Sequence, residues 1–248
     1  TEVREMNVGS DGRLRPVGSD IVEASRLMIP LITAFLLTSS IFVSSGYMLR
    51  AVVEEKTNRT IEVLFSSVRP SQLLCGKILG LSGAAVLQMT IYSTLSGLSI
   101  LSLGSGLNIS AATLALALLY GAFGFLFYAG LLTGAGIVVG NVREGSQVAA
   151  IGGLCAISPL LFLSSFLSAP NGTLARVLSY IPLTAPVTML FRLNLADVPL
   201  TDRIGALVVL ALATLLAVLG AARLLRTASL LYGKRAGLLD VLRMLTQS

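Results

Sequence analysis

Five stretches of the chain run for about 20 residues or more without one Asp, Glu, Lys, Arg or His: 27–49, 78–103, 111–139, 147–168 and 204–222. That is the length a helix needs to cross hydrocarbon about 30 Å thick. No water is available there to satisfy peptide groups, so each stretch is predicted to be a helix that satisfies its own. The pattern therefore predicts an all-α, polytopic integral membrane protein with five transmembrane helices. The stretch 111–139 exceeds the length needed and is expected to tilt, or to break near its glycines.

Between the first two spans the pattern changes. Over 53–68, Val53, Thr57, Thr60, Ile61, Leu64 and Val68 fall within an arc of roughly 100° on a helical wheel. Glu55, Arg59 and Glu62 form the opposite stripe, four and three residues apart, which suits side-chain pairing. Pro70 ends this helix and Ser71 can cap the next. The segment reads as an amphipathic helix in water, continuous with the first span or hinged to it. Three roles fit such a helix. It can lie on the membrane surface, carry a catalytic pair, or serve as a handle for a partner in the cytoplasm.

Composition supports the membrane class. Of 248 residues, 54% are hydrophobic and 12% charged, with a mean hydropathy of +0.86, where soluble domains carry about a quarter charged residues. The net charge of +6 reflects basic residues gathered on the cytoplasmic side, and nucleic acid is not expected as a partner. Eleven of the 18 Lys and Arg residues lie in 50–77, in 140–146 or after 222, three segments that alternate onto one side. That side is expected to be cytoplasmic, with the C-terminus there, in the inner (cytoplasmic) membrane of the cell. The segment 1–26 is then extracytoplasmic and 27–248 forms the membrane domain. Five spans with an external start are expected to belong to a six-span parent with an upstream span and an external domain. His is absent, and Cys75 and Cys155 are far apart in sequence, so two buried free thiols are expected rather than a disulfide or a zinc site.

Ion-coupled carriers place titratable groups inside the bilayer, and these five stretches contain no acidic or basic side chain. The chain also lacks the GxxxxGK[ST] loop that cradles nucleotide phosphates. Energy for transport would have to arrive from another subunit, through the charged helix between the spans.

That helix carries a resemblance. The run VVEEKTNRTIEVLFSSVRPSQLLCGKILG at 52–80 resembles the segment after the second span of type-2 ABC transporter permeases, with its EEK, T-x-E-x-L-x-S, Pro and Gly-Lys pattern. YIPLTAPVTMLFRL at 180–193 and ARLLRTASLLYGKRAGLLDVLRML at 222–245 also look like that family, particularly its sodium-efflux and multidrug-exporter branch. The resemblance implies a half-transporter that forms a homodimer, or a heterodimer with a second permease. It implies two separate ABC ATPase subunits that bind ATP and Mg, with no cofactor on this chain. It also implies that 53–68 is the coupling helix, with Glu54, Glu55, Thr60, Glu62 and Leu64 at the matched positions. Arg59 stands where the family usually has glycine.

Other features fit around this reading. Gly130, Gly134, Gly136 and Gly140 have four-residue spacings that let helices approach closely or bend. Pro182 and Pro186 break the external stretch 174–192 into short pieces. The family has re-entrant helices there, which makes these prolines candidates for an external gate. The basic end of the chain, 234–245, suits the inner leaflet. The reading is a permease subunit of an ATP-driven exporter working by alternating access, in contact with the lipid bilayer. The alternatives are an ATPase-independent channel or assembly scaffold and, last, an intramembrane enzyme. Cargo is open: apolar walls suit lipids or drugs, whereas Thr33, Ser39, Ser40 and Ser44 suit an ion.

Overall fold

A computed structural model describes residues 6–8, 14–16, 19–57, 111–139 and 141–230, and within 72–94 residues 72, 76, 79–81, 83–92 and 94. Two short antiparallel strands, β1 (Met6–Val8) and β2 (Leu14–Pro16), precede the helices, with Asn7 opposite Arg15. Everything else that is regular among the described residues is helical. The long helices are α1 (Ser19–Thr57), α2 (Ala111–Val138), α3 (Val142–Ile157) and α7 (Leu200–Leu230). Short helices α4 (Leu163–Ser168), α5 (Thr173–Tyr180) and α6 (Ala185–Leu195) lie between α3 and α7.

Among the described residues, four helical stretches are long and apolar enough to cross a membrane: Ala34–Glu54, Ala112–Val138, Arg143–Ser168 and Leu200–Leu224. The predicted span at 78–103 is represented by a shorter apolar helix, Leu79–Tyr92; apart from Thr94, the rest of it lies outside the described residues. The helices exceed their apolar stretches for local reasons. α1 starts at Ser19, where Asp20-Ile-Val-Glu23 has the acid-x-x-Glu spacing of a helix start. α3 starts at a reciprocal cap. Asn141 Oδ1 accepts from the Glu144 backbone N–H and Asn141 Nδ2 donates to Glu144 Oε1, both at 2.9 Å. The predicted span 147–168 is interrupted at Ser158–Phe162 by a 3₁₀ turn that begins with Pro159 near its start. Proline has no N–H to continue the α-helical ladder.

Close contacts fix the relative directions. Ile41 lies against Gly124, while Leu49 and Val53 lie against Gly136, so α1 and α2 run parallel. Ala217 lies against Gly130 and Leu224 against Gly134, so α7 is parallel to both. α3 starts beside Leu49 and Val53 at Gly145, and further along its Gly152 meets Leu132, so it runs the opposite way. The segments that follow α1, α2 and α7 therefore all leave from one end of the bundle.

The main core gathers Ile41, Tyr120, Tyr128, Val187, Leu190 and Leu210. Phe42 and Tyr128 meet edge-on with ring centroids 4.8 Å apart. Outward faces are as apolar as the inside, with Leu161 83% and Leu216 72% exposed, as lipid contact requires. Cys155 shares this outward surface with Leu154. The expectation of a buried thiol there is corrected: a thiol is apolar enough to face hydrocarbon. Cys75 lies outside the described residues.

The glycines of α2 do not interrupt it, since the helix is continuous from Ala111 to Val138. They admit neighbours instead. A Cβ on Gly130 would sit 3.0 Å from the backbone of Ala217 and Val218, and one on Gly136 would sit 3.4 Å from the Leu49 carbonyl. Gly134 is looser, at 3.5 Å from Leu224, and Gly140 lies outside the described residues. The contrast is testable by thermal unfolding in detergent. Gly130→Leu is expected to cost about 1–3 kcal/mol through overpacking against backbone. Gly153→Leu, at a position with nothing within 4 Å, is expected to leave the melting temperature nearly unchanged.

Candidate functional site

The stretch read as external, 174–192, folds back into the bundle. α5 packs on α6 and α7, and α6 packs on α1 and α2. Between α5 and α6 the chain reverses at 181–184. There the Thr184 N–H donates to the Ile181 carbonyl at 3.0 Å and Thr184 Oγ1 donates to the Leu178 carbonyl at 2.7 Å. Pro186 follows in the first turn of α6, where a missing N–H costs nothing. Every residue from Ala185 to Leu193 is buried.

The depth of this reversal can be read from its neighbours. A Cβ on Gly124, at the midpoint of α2, would lie 2.7 Å from Pro186 Cβ and 3.2 Å from Ile41 Cδ1. The Tyr128 hydroxyl donates to the Leu183 carbonyl. Pro182 is half-buried in the turn and Pro186 is buried beside Gly124. Both prolines therefore sit level with the middle of α2, not at its end.

Arg192, two turns further along α6, is fully buried. Its guanidinium has five N–H groups, and five acceptors surround it. Nε donates to the Pro170 carbonyl at 2.9 Å. Nη1 donates to Ser179 Oγ at 2.8 Å and to Met189 Sδ at 3.8 Å. Nη2 donates to Asn171 Oδ1 at 3.1 Å and to Asp202 Oδ2 at 2.7 Å. Asp202, in the first turn of α7, also pairs with the half-exposed Arg176 at 3.2 Å. One side chain thus ties α6 to α5, to the loop after α4 and to α7. Asn171 adds a bond to the Asp197 carbonyl at 3.0 Å, closing the loop around it.

Sequence reading missed this cluster. Arg192 and Asp202 fall between the last two apolar stretches, and the structure buries them as a pair within the helical assembly. The available signal was an arginine closing the apolar run after Pro186, with an acid shortly before the last apolar stretch. An ionisable side chain in such a setting calls for a buried partner.

The other residues singled out from sequence fall elsewhere. Glu54 is exposed on the last turns of α1, and α1 runs unbroken to Thr57, so the first part of the 53–68 segment extends that helix directly. The Glu55 side chain lies outside the described residues, as do Arg59, Thr60, Glu62 and Leu64. Of the hydroxyls suggested for an ion route, Ser39 donates to the Leu36 carbonyl at 2.8 Å. Among the described residues, Ser40 is buried without a hydrogen-bond partner, as are Thr38, Thr133 and Thr188.

Removing one member of a buried ion pair leaves the other uncompensated, at about 3–5 kcal/mol, whereas exposed pairs contribute about 0–1 kcal/mol. Arg192→Met is expected to lower stability by about 3 kcal/mol, and Arg192→Lys by most of that, since an ammonium has only three donors. Arg176→Gln, at a half-exposed position, is expected to cost less than about 1 kcal/mol. Chemical unfolding in micelles checks the order.

The comparisons with known proteins agree with this architecture. The family described as ABC-2 family transporter protein matches residues 19–223. The uncharacterized protein MJ1024 of Methanocaldococcus jannaschii is 28% identical over 218 residues, covering 88% of this chain and 54% of that protein. The uncharacterized protein YhaP of Bacillus subtilis is 28% identical over 215 residues, covering 82% and 51%. The chain spans about half the length of these relatives. A family match running from the start of α1 into the last turns of α7, over a bundle of apolar helices, means that this chain belongs to the ABC-2 transporter family, as a multi-pass membrane component.

Proposed function

We propose that the chain is the membrane-spanning part of an ATP-driven exporter in the inner membrane, powered by separate ABC ATPase subunits that hold ATP and Mg. It works as a dimer, with an identical copy or a second permease. The observation that carries the reading is the continuity of α1. One 39-residue helix joins the charged segment at 53–57 to the buried middle of the bundle. At about 1.5 Å per residue it is nearly 60 Å long, enough to carry a push from water through the bilayer. An ATPase gripping 53–68 acts on Ile41, and through it on the α5–α6 reversal beside Gly124.

Orientation follows from charge. The last turns of α1 and α7 at the common end, with the segments that follow α1, α2 and α7, carry eleven of the 18 basic residues, which favours that end in the cytoplasm. The C-terminus is then cytoplasmic and α5–α6 enters from the opposite face as a re-entrant pair. Pro182 and Pro186 form its tip, placed to gate the outward exit.

The test uses the full-length protein and a candidate ATPase encoded beside it. The two are expected to co-purify. Glu55→Arg combined with Glu62→Arg should weaken binding at least tenfold, about 1.4 kcal/mol. Export from proteoliposomes should stop without ATP. Full-rate transport in vesicles free of any ATPase would instead establish the channel reading.

A further inference from the structure

We infer that the groove between α1 and α3 is a binding site for an anionic phospholipid of the cytoplasmic leaflet, with an acyl chain along the groove and the phosphate at Arg50. This goes beyond the exporter reading and takes from it only which pole faces the cytoplasm.

α1 and α3 meet where Leu49 and Val53 lie against Gly145. Beside that contact a cavity of about 360 Å³ opens between the 42–50 stretch of α1 and the 146–150 stretch of α3. Small side chains leave the space. Nothing lies within 4 Å of where a Cβ on Gly46 would be, and α3 contributes Ser146, Ala149 and Ala150. The cavity opens outward, since Val43, Tyr47 and Ala150 are exposed. A hollow on the outer surface of a membrane bundle fills with lipid, because an empty one forfeits the packing contacts of its walls.

The walls change character along the groove. Phe42 and Val43 of α1, with Ala149 and Ala150 of α3, make one end apolar. Arg50, which is exposed, and Ser146 make the other end polar. The two helices run in opposite directions, so Arg50 and Ser146 both lie toward the pole where α1 ends and α3 begins. Phe42 and Arg50 are eight residues apart, about 12 Å along the helix. The order from apolar to cationic toward that pole is the order of chain and phosphate in a lipid of the same leaflet. Tyr47 stands between, as amphipathic rings do at head-group level.

Charge at the polar end favours an anion. Arg143 shares a face of α3 with Ser146 and Ala150, three and seven residues on, and lies exposed one turn nearer the pole. Of the two acids nearby, Glu144 is engaged with Asn141. Glu54 is exposed one turn beyond Arg50, and among the described residues no ion pair joins the two. A guanidinium suits a phosphate, which it can meet with two parallel hydrogen bonds. A second copy of the chain laid symmetrically over the same groove would instead bring its own Arg50 toward this one, and like charges so placed oppose docking.

Native mass spectrometry tests this on the full-length protein in detergent, titrated with phosphatidylglycerol or phosphatidylcholine of identical chains. The first phosphatidylglycerol should bind about fivefold more tightly than the first phosphatidylcholine, the effect of one arginine near a membrane surface. Arg50→Gln should remove that preference. Gly46→Leu and, from the other wall, Ala150→Leu should fill the groove and reduce both lipids to the weak adducts that follow the first, with the melting temperature unchanged. Arg223→Gln, at an exposed position of α7 at the same pole, should leave the preference intact. Equal losses in Arg50→Gln and Arg223→Gln mean that the pole attracts anions in general, and unchanged binding in both leucine variants means that no chain lies in the groove. Either result overturns the inference. So does a shift from dimer to monomer in the leucine variants with lipid binding retained, which assigns the groove to a second copy. The ATP-driven reading is untouched by all of these outcomes, since it fails on ATPase binding and on the ATP dependence of export.

Discussion

A buried guanidinium holds this fold in its present form. Arg192 has one acceptor for each of its N–H groups, drawn from a loop carbonyl, a hydroxyl, a thioether, an amide and a carboxylate. Such a group cannot be moved into hydrocarbon alone, so the elements that supply its acceptors must assemble around it. The return of the chain between α4 and α7 into the bundle is organised by that requirement. Its tip can lie level with the middle of α2 because 181–184 satisfies its own backbone and borrows the Tyr128 hydroxyl.

The same physics explains why a few polar links matter more here than the extent of apolar contact. Apolar packing in lipid is weakly discriminating, because a leucine facing a neighbouring helix and one facing an acyl chain are in similar surroundings. Polar links and close backbone approach then decide which helices stay together. α2 and α7 have both, through Thr214 and Gly130. α1 meets α2 through broad apolar contact that includes the edge-on pair of Phe42 and Tyr128.

Much of this was legible in the sequence. Long stretches without acidic or basic groups gave the all-helical membrane class, because the bilayer's demand on peptide groups depends on composition and length alone. The motif at 52–80 pointed to the family before any geometry was available. Three things were not legible. The interruption at Pro159 was hidden inside one apolar run, whose hydropathy does not register a lost N–H. The outward placement of Cys155 depends on which face of α3 meets a neighbour. The Arg192 cluster is assembled from 170, 171, 179, 189 and 202, and no local pattern brings those positions together. A count of charges along the chain carries no information on how the chain returns.

The parallel course of α1, α2 and α7 has an electrostatic consequence. Each helix carries a partial negative charge at its carbonyl end, and three such ends converge on one pole of the bundle, where among the described residues α3 and the helix Leu79–Tyr92 begin. Exposed Arg50 near the end of α1 and Arg223 in the last turns of α7 are at that pole. The backbone itself therefore draws cations there, so that the asymmetry of lysine and arginine along the chain complements a dipole the helices would possess even if every one of those side chains were neutral.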